Sequence, residues 1–322
     1  MFSRIIGTGH SFPKTCVSNA ELSTFVDTTD EWITDRTGIR QRYRVNAEET
    51  TSLLATQAAQ QALSHSSTLI ESIDLIIVAT TTPDQAFPST ACFVQAQLGN
   101  THAAAFDIQA VCSGFVYALT VADQFIRSGQ AKKALVIGAE TMTRLLDWSD
   151  RSTCVLFGDG AGAVILEACS RPGILGTKLF ADGTHAKALY ARGPNAYPIT
   201  DANPYLQMDG RSVFRFAVNA MSQAVESLLK EQELNIDDID WVIPHQANQR
   251  ILDAVADRLN LSKERVISTV AQHANTSAAS IPLALSEAVK KNQFKPGQKI
   301  VLVSMGAGFT WGSVVLEWQQ IP

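Results

Sequence analysis

The stretch SIDLIIVATTTPD, residues 72–84, decides the fold, because it returns in altered form as DIDWVIPHQAN, residues 238–248. Each copy is a short apolar run behind an acidic, polar loop, and each follows an amphipathic stretch. Two further pairs keep the same order. AKKALVIGAE (131–140) is answered by GQKIVLVSMGAG (297–308), and FGDGAGAVILEA (157–168) by FTWGSVVLEW (309–318). DLIIVAT, ALVIGA and AGAVILEA are continuously apolar, which predicts strands buried on both faces. TSLLATQAAQQAL (51–63) and SGFVYALTVADQFIRSG (113–129) carry apolar residues at three- and four-residue spacing, which predicts helices. Strand and helix in turn predict an α/β fold, and the recurrence predicts two similar halves. Pro172 and Gly173 in CSRPGI mark the break, so the expected division is 1–171 and 172–322.

Composition narrows the class. The chain has 322 residues, 46% hydrophobic and 18% charged, which suits a soluble protein with a substantial core. A net charge of −5 gives no global sign of nucleic-acid binding. DRTGIRQRYR gathers Arg36, Arg40, Arg42 and Arg44. Each alone reads as part of a solvated face, whereas the group of four suits a polyanion such as a phosphorylated cofactor. The five cysteines (Cys16, Cys92, Cys112, Cys154 and Cys169) are odd in number and show no CxxC spacing. They predict reduced thiols in a cytoplasmic protein and no metal site. No signal-peptide run opens the sequence, and no stretch of 18 apolar residues predicts a membrane span.

Within DIQAVCSGFVYAL, residues 107–119, Cys112 stands where a strand-like run gives way to a helix. A helix N-terminus lowers a thiol pKa, so Cys112 is expected to be an activated nucleophile. Small Ser113 and Gly114 leave room for a substrate. The other four cysteines read as structural. QHANTSAASIPLAL precedes its strand by a similar distance, which sets Asn275 at roughly the place in its half that Cys112 holds in the other. His245 of PHQAN ends a strand and joins them. An amide and an imidazole together can donate two hydrogen bonds to an oxygen gaining negative charge. Of the remaining histidines, His273 is set apart only by lying beside Asn275. Gly306 and Gly308 in MGAGFTWG allow backbone N–H groups to approach a reacting oxygen. FGDGAGA precedes a strand and lacks a following Lys-Ser/Thr, so it reads as close backbone packing rather than a phosphate loop.

AVCSGF, PHQANQRI, NTSAAS and GAGFTWGS, in this order, resemble β-ketoacyl-acyl-carrier-protein synthase III, the initiating condensing enzyme of bacterial type II fatty acid synthesis. The resemblance extends over essentially the whole chain, including FPSTAC, EWITDRTGIR and DRSTCVLFGDGAGA. It implies the thiolase fold, two pseudo-twofold related α/β halves in a five-layered α-β-α-β-α core. It implies a catalytic triad of Cys112, His245 and Asn275, with an oxyanion hole from the N–H groups of Cys112 and Gly306. Trp32 and Arg151 then resemble the pair around the adenine of coenzyme A, with Arg36 near its phosphates and Asn248 as a further coenzyme A contact. Phe87 resembles an aromatic residue that reaches the acyl pocket across a homodimer interface. Arg215, Gln246 and Arg250 resemble contacts for acyl-carrier protein. Acetyl-coenzyme A and malonyl-acyl-carrier protein are the implied substrates, with no metal or redox cofactor. One departure is visible. The family usually has glycine where this chain has Ala274, and alanine disfavours a positive φ.

Other readings share some of these residues. Type III polyketide synthases and other specialised condensing enzymes also use Cys, His and Asn, but are usually longer. A papain-like hydrolase has the same residue order without the internal repeat. A non-catalytic protein of the same fold would not need the intact triad.

Overall fold

The structure is a computed structural model that describes residues 1–193 and 203–321. The apolar runs form two mixed sheets. The first holds β1 (Phe2–Ser11), β2 (Leu75–Ala79), β3 (Ala104–Ile108), β4 (Lys133–Thr141) and β5 (Asp159–Cys169), in the spatial order β1-β5-β4-β2-β3. The second holds β6 (Ile174–Ala181), β7 (Trp241–Pro244), β8 (Lys299–Gly306) and β9 (Thr310–Glu317), in the order β6-β9-β8-β7. Strand for strand the orders match. β2 and β4 are parallel, as are β7 and β8, and the neighbouring pairs β4–β5 and β8–β9 are antiparallel. Leu75 pairs with Ala134, and Trp241 with Ile300, so both partners recur 166 residues later. The counterpart of β3 is reduced to one bridge between Val242 and Val266.

The helices complete the layers. α1 (Thr51–His65) and α2 (Thr90–Leu98) cover the outer face of the first sheet, and α4 (Gly210–Glu231), backed by α5 (Gln249–Arg258), covers that of the second. Between the sheets lie α3 (Gly114–Arg127) and α6 (Ser280–Lys290). The result is the five-layered thiolase-like fold. Because the central helices are covered on both sides, most of their apolar residues are fully buried, with Val121, Phe125 and Val289 partly so. Phe115, Leu119 and Ile126 pack with Ile281 and Leu285 among inward residues of both sheets, such as Val136 and Leu302. Truncating one of these to alanine costs about 2–5 kcal/mol. On the outside, the alanine stripe of α1 lets it approach β1 so closely that a Cβ on Gly9 would lie 2.2 Å from the Ala58 carbonyl. FGDGAGA is packed in the same way, with a Cβ on Gly162 meeting the backbone of Pro282 and Leu283 at 2.6 Å. No helix among the described residues is long and apolar enough to cross a membrane.

Candidate active site

The repeat places two turns against each other at the middle of the molecule. After β3 the chain turns through Val111–Ser113 into α3, and after Asn275 it turns through Ser277–Ala279 into α6. Cys112 sits on the first turn, nine-tenths or more buried. Its counterpart, 166 residues on, is Ala278. Asn275 therefore lies three residues before the place that matches Cys112, a correction to the sequence alignment.

Two cavities meet at Cys112. One, of about 420 Å³, is largely apolar and is lined by Met142, Leu145, Phe157, Leu189 and Leu206. The other, of about 160 Å³, brings Cys112 together with His245, Asn275 and Asn248. The nucleophile candidate thus has an apolar chamber on one side and hydrogen-bonding groups on the other.

Each polar group is held by its local backbone. The His245 N–H donates to the Val303 carbonyl at 2.8 Å, extending the β7–β8 pairing by one residue. Its Nδ1 lies 2.7 Å from the Ser280 hydroxyl. Burial pulls the imidazole down to about 3, so it is neutral throughout the physiological range. Asn275 is fixed through its backbone, with its N–H donating to the Leu156 carbonyl and its carbonyl accepting from Gly158. Its Oδ1 accepts from the Ser277 N–H at 2.9 Å, which leaves the amide NH₂ as the group for the cavity. Ala274, just before it, adopts φ 57° and ψ −159°, a region that glycine otherwise occupies. The turn keeps a glycine conformation although alanine stands there.

Gly306 ends β8 against the Cys112 turn. A Cβ on it would lie 2.8 Å from the Cys112 nitrogen, so the two backbones meet only because this residue is glycine. The Ser304 hydroxyl donates to the Cys112 carbonyl at 2.7 Å. The expected lowering of the thiol pKa is overturned. Burial pushes Cys112 up to about 12, only partly offset by the nearby Ser277 hydroxyl, and the Glu140 carboxyl adds to the rise. Desolvation outweighs the start of a helix here, and the resting group is a thiol.

The remaining expected contacts divide by exposure. The guanidinium carbons of Arg36 and Arg151 lie 4.8 and 5.2 Å from the Trp32 ring centre, so the three converge on the surface. Asn248 caps α5 and donates to the Arg36 carbonyl, linking that surface to the inner cavity. Arg215 and Arg250 are exposed, and Arg250 donates to the Asp35 carbonyl. Phe87 is 83% exposed and does not line either cavity. Gln246 is the exception. It is buried, its NH₂ donates to the Pro244 and Ile267 carbonyls, and its Oε1 accepts from Thr269. It braces the loop that carries His245 and presents nothing to a partner. The arginine cluster also divides. Arg42 is buried, donating to Asn19 and the Val155 carbonyl, and desolvation lowers it to about 10. Arg44 lies over the Trp148 ring. His273 packs against Phe12, which stacks in turn on Tyr43, and it lines neither cavity.

Sequence reading passed over four groups around the site: Glu140, Ser277, Ser280 and Ser304. Glu140 had a signal, since an acid closing the apolar run ALVIGAE must find partners once buried. The serines had none, because a serine is equally at home in a turn, a cap or a site.

Comparison with known proteins follows the same outline. The family model for 3-oxoacyl-[acyl-carrier-protein] synthase III matches residues 106–183, and the model of its C-terminal part matches residues 229–318. The β-ketoacyl-[acyl-carrier-protein] synthase III of Rhizorhabdus wittichii is 55% identical over 316 residues, covering 98% of this chain and 98% of that protein. The crystal structure of 3-oxoacyl-[acyl-carrier-protein] synthase III from Aquifex aeolicus superposes with a TM-score of 0.93 at 48% identity, covering 98% of this chain and 100% of the other. That from Pseudomonas aeruginosa gives 0.94 at 41% identity, covering 100% of both.

Proposed function

Because the chain belongs to the β-ketoacyl-acyl-carrier-protein synthase III family, we propose that it catalyses the initiating condensation of fatty acid synthesis by the following route. Cys112 attacks acetyl-coenzyme A, or another short acyl-coenzyme A, and becomes an acyl thioester while coenzyme A leaves. Malonyl-acyl-carrier protein then enters, and its thioester carbonyl accepts hydrogen bonds from His245 and Asn275. Loss of CO₂ leaves an enolate whose oxygen those donors hold. The enolate carbon attacks the acyl-Cys112 carbonyl, whose oxyanion is met by the N–H groups of Cys112 and Gly306. Collapse releases a 3-oxoacyl-carrier protein and the Cys112 thiolate, which takes up a proton from solvent to restore the thiol. No step written here calls on a metal or redox cofactor.

The observation that carries this reading is the single cavity shared by Cys112, His245 and Asn275. The hydrogen-bond pattern supports the division of labour. The Gln246 N–H reaches the Ser280 oxygen at 3.4 Å, which leaves the hydroxyl proton for His245 Nδ1. Nε2 then carries a proton and acts as a donor beside the Asn275 amide. An amide cannot serve as a base near neutral pH, so stabilising an oxygen is the task open to Asn275.

Trp32, Arg36 and Arg151 would stack on the adenine and meet the phosphates of coenzyme A, with Asn248 further in, since stacking and guanidinium charge suit a nucleotide. Arg215 and Arg250 would face the acidic carrier protein. The exposed Phe87 would enter the apolar cavity of a second copy in a homodimer. The two halves would meet at residues 171 and 172, between the end of β5 and the start of β6. The free thiols suit the cytoplasm, where the carrier protein would be met. Mass spectrometry of the digested protein after mixing with acetyl-coenzyme A tests the first step. The expected result is an acetyl group on Cys112. An acetyl group on another cysteine, or none, removes the assignment.

A further inference from the structure

The reaction proposed above needs the NH₂ end of the Asn275 amide in the cavity. The Asn275 backbone is pinned on both sides by Leu156 and Gly158. Its side chain has a single hydrogen bond among the described residues, in which Oδ1 accepts from the Ser277 N–H at 2.9 Å. That bond selects which end of the amide faces inward. An amide turned over would set its own oxygen, an acceptor, against the enolate oxygen. The aim of Asn275 therefore hangs on where the Ser277 N–H points.

Ser277 sits at φ 49°, in the left-handed region that favours glycine. Its hydroxyl donates to Glu140 Oε1 at 3.0 Å. Glu140 lies near the end of β4 with no exposed surface, so it grips the Ser277 turn from the opposite half. The carboxylate is itself anchored, with Oε2 accepting from the Thr82 hydroxyl at 2.5 Å and from the Thr81 N–H at 3.1 Å. Thr82 is fixed in turn. Its hydroxyl accepts from the Thr141 N–H at 2.8 Å, and its carbonyl accepts from the Thr51 hydroxyl at 2.6 Å, at the start of α1. A line of hydrogen bonds thus runs from α1 through Thr82, Glu140 and Ser277 to the Asn275 amide.

The two halves differ on this point. The places that match Glu140 and Ser277, 166 residues away, hold Gly306 and Val111. There the Gly306 backbone closes directly on the turn, so that a Cβ on it would lie 2.9 Å from the Ala110 carbonyl, and neither a carboxylate nor a hydroxyl takes part. On the Asn275 side a side-chain grip stands in place of that backbone contact. A carboxylate buried among neutral donors is costly to keep, and this one holds the residue whose N–H aims the amide. We propose that Glu140 is a positioning residue for Asn275. By holding the Ser277 hydroxyl it keeps the Ser277 N–H on Oδ1, and so keeps the amide NH₂ toward the thioester carbonyl of malonyl-acyl-carrier protein. The last clause rests on the reaction proposed above.

The test is a double-mutant cycle with two readouts. The first is kcat for CO₂ release from malonyl-acyl-carrier protein. Ser277→Ala leaves the Thr81 and Thr82 bonds to Glu140 in place and should lower kcat about tenfold, less than the roughly 10²–10³ expected of Asn275→Ala. Glu140→Leu removes every acceptor and should cost at least as much, and Ser277→Ala carries the test if that variant does not fold. Glu140→Gln keeps an oxygen for the Ser277 hydroxyl and should stay within about threefold of wild type. KM should move less than about twofold in each, because aiming the amide acts on the transition state more than on binding. On an Asn275→Ala background, Ser277→Ala and Glu140→Leu should have no further effect, since no amide remains to be aimed, whereas independent packing defects would multiply with it. Wild-type kcat in Ser277→Ala beside a large loss in Asn275→Ala, or single effects that persist on the Asn275→Ala background, overturns the positioning role.

The second readout needs no substrate. In protein labelled with ¹⁵N at asparagine, the Asn275 side-chain NH₂ signals are identified by their loss in Asn275→Ala. Ser277→Ala and Glu140→Leu should shift and broaden them as the amide gains a second orientation, and Glu140→Gln should leave them near their wild-type positions. Unchanged signals in Ser277→Ala overturn the proposal. Shifted signals in an enzyme whose Asn275→Ala variant decarboxylates normally keep the positioning and remove the task given to Asn275 in the proposed reaction.

Discussion

The turn at Val111–Ser113 and the turn at Ser277–Ala279 share one backbone and carry different chemistry. Each begins with a residue at φ 49°, Val111 in one and Ser277 in the other, and each runs directly into a central helix. The neighbours 166 residues apart are what differ. Behind Cys112 stand Ser304, bonded to its carbonyl, and Gly306, pressed to its nitrogen. Behind Ala278 stand Gly138, where a Cβ would lie 2.3 Å from the Ala278 carbonyl, and Glu140. At the helix starts, Gly114 lies against Ala79, and in the other half Ser280 lies against His245. A twofold scaffold thus supplies two rigid turns at one centre, and a few exchanged positions make one a nucleophile turn and the other a donor platform. If so, damage to one turn should spare the half-reaction assigned to the other.

Asn275→Ala offers the largest break. Losing an oxyanion donor costs about 10²–10³ in rate, so decarboxylation of malonyl-acyl-carrier protein should fall by that factor while acetyl transfer to Cys112 stays within a few-fold. Cys112→Ala should do the reverse, releasing CO₂ without forming a condensation product. Labelled CO₂ release and acyl-enzyme formation, measured on both variants, separate the two. Loss of acylation in Asn275→Ala with decarboxylation unharmed would invert the roles.

Ser280→Ala sharpens the comparison by making the second helix start resemble the first, where Gly114 offers no hydroxyl. His245 Nδ1 would lose its partner at 2.7 Å inside a buried pocket, a loss of roughly 1–3 kcal/mol. Decarboxylation should fall about tenfold, which is 1.4 kcal/mol. With the imidazole at about 3, the wild-type decarboxylation rate should also show no inflection near its ordinary value of 6.5. Between about pH 5 and 8 neither folded state nor reaction would then gain or lose a proton at His245. An inflection there means that the ring titrates, and that burial is relieved when substrate binds.

The repeat was legible because strands covered on both faces are written as apolar runs, and such runs stay recognisable after the rest has diverged. The turns were less legible. Outside the strands the halves keep backbone but little sequence, so Asn275 was matched to Cys112 when Ala278 is the true counterpart. Burial was the main thing hidden. The helix start at Cys112 was visible, whereas the desolvation that outweighs it comes from residues scattered along both halves. Gln246 and Arg42 look like surface residues in their polar neighbourhoods, yet both are enclosed, with Gln246 bonded to carbonyl groups and a backbone N–H, and Arg42 bonded through its two terminal nitrogens while its Nε is left without a partner. Beyond the arginine cluster around Arg36, which suits a phosphorylated cofactor by its charge, the cofactor and carrier contacts rest on resemblance, since single arginines and a tryptophan on a surface carry no pattern of their own.

The smallest effect expected comes from Ala274, where the Asn275 turn has no parallel in the other half. Ile108, its counterpart, ends a regular strand, whereas Ala274 holds φ 57° and ψ −159°. For a residue with a Cβ this region costs about 1–3 kcal/mol, and the pairing of ψ with φ here puts it toward the upper part of that range. Glycine would remove the strain. Against that stand one buried methyl, about 0.8 kcal/mol, and the extra freedom of glycine in the unfolded chain, about 0.4–1 kcal/mol. The balance leaves Ala274→Gly more stable by about 1 kcal/mol, a rise of about 2 °C in Tm. The Asn275 backbone is held on both sides by Leu156 and Gly158, so the amide should keep its aim and the decarboxylation rate should change less than about twofold, well inside the 1.4 kcal/mol that a tenfold change requires. Calorimetry and CO₂ release on the variant decide it. A lower Tm would mean that the surrounding bonds, and not this residue, absorb the strain. A large loss of decarboxylation with Tm raised would mean that the strain itself orients Asn275.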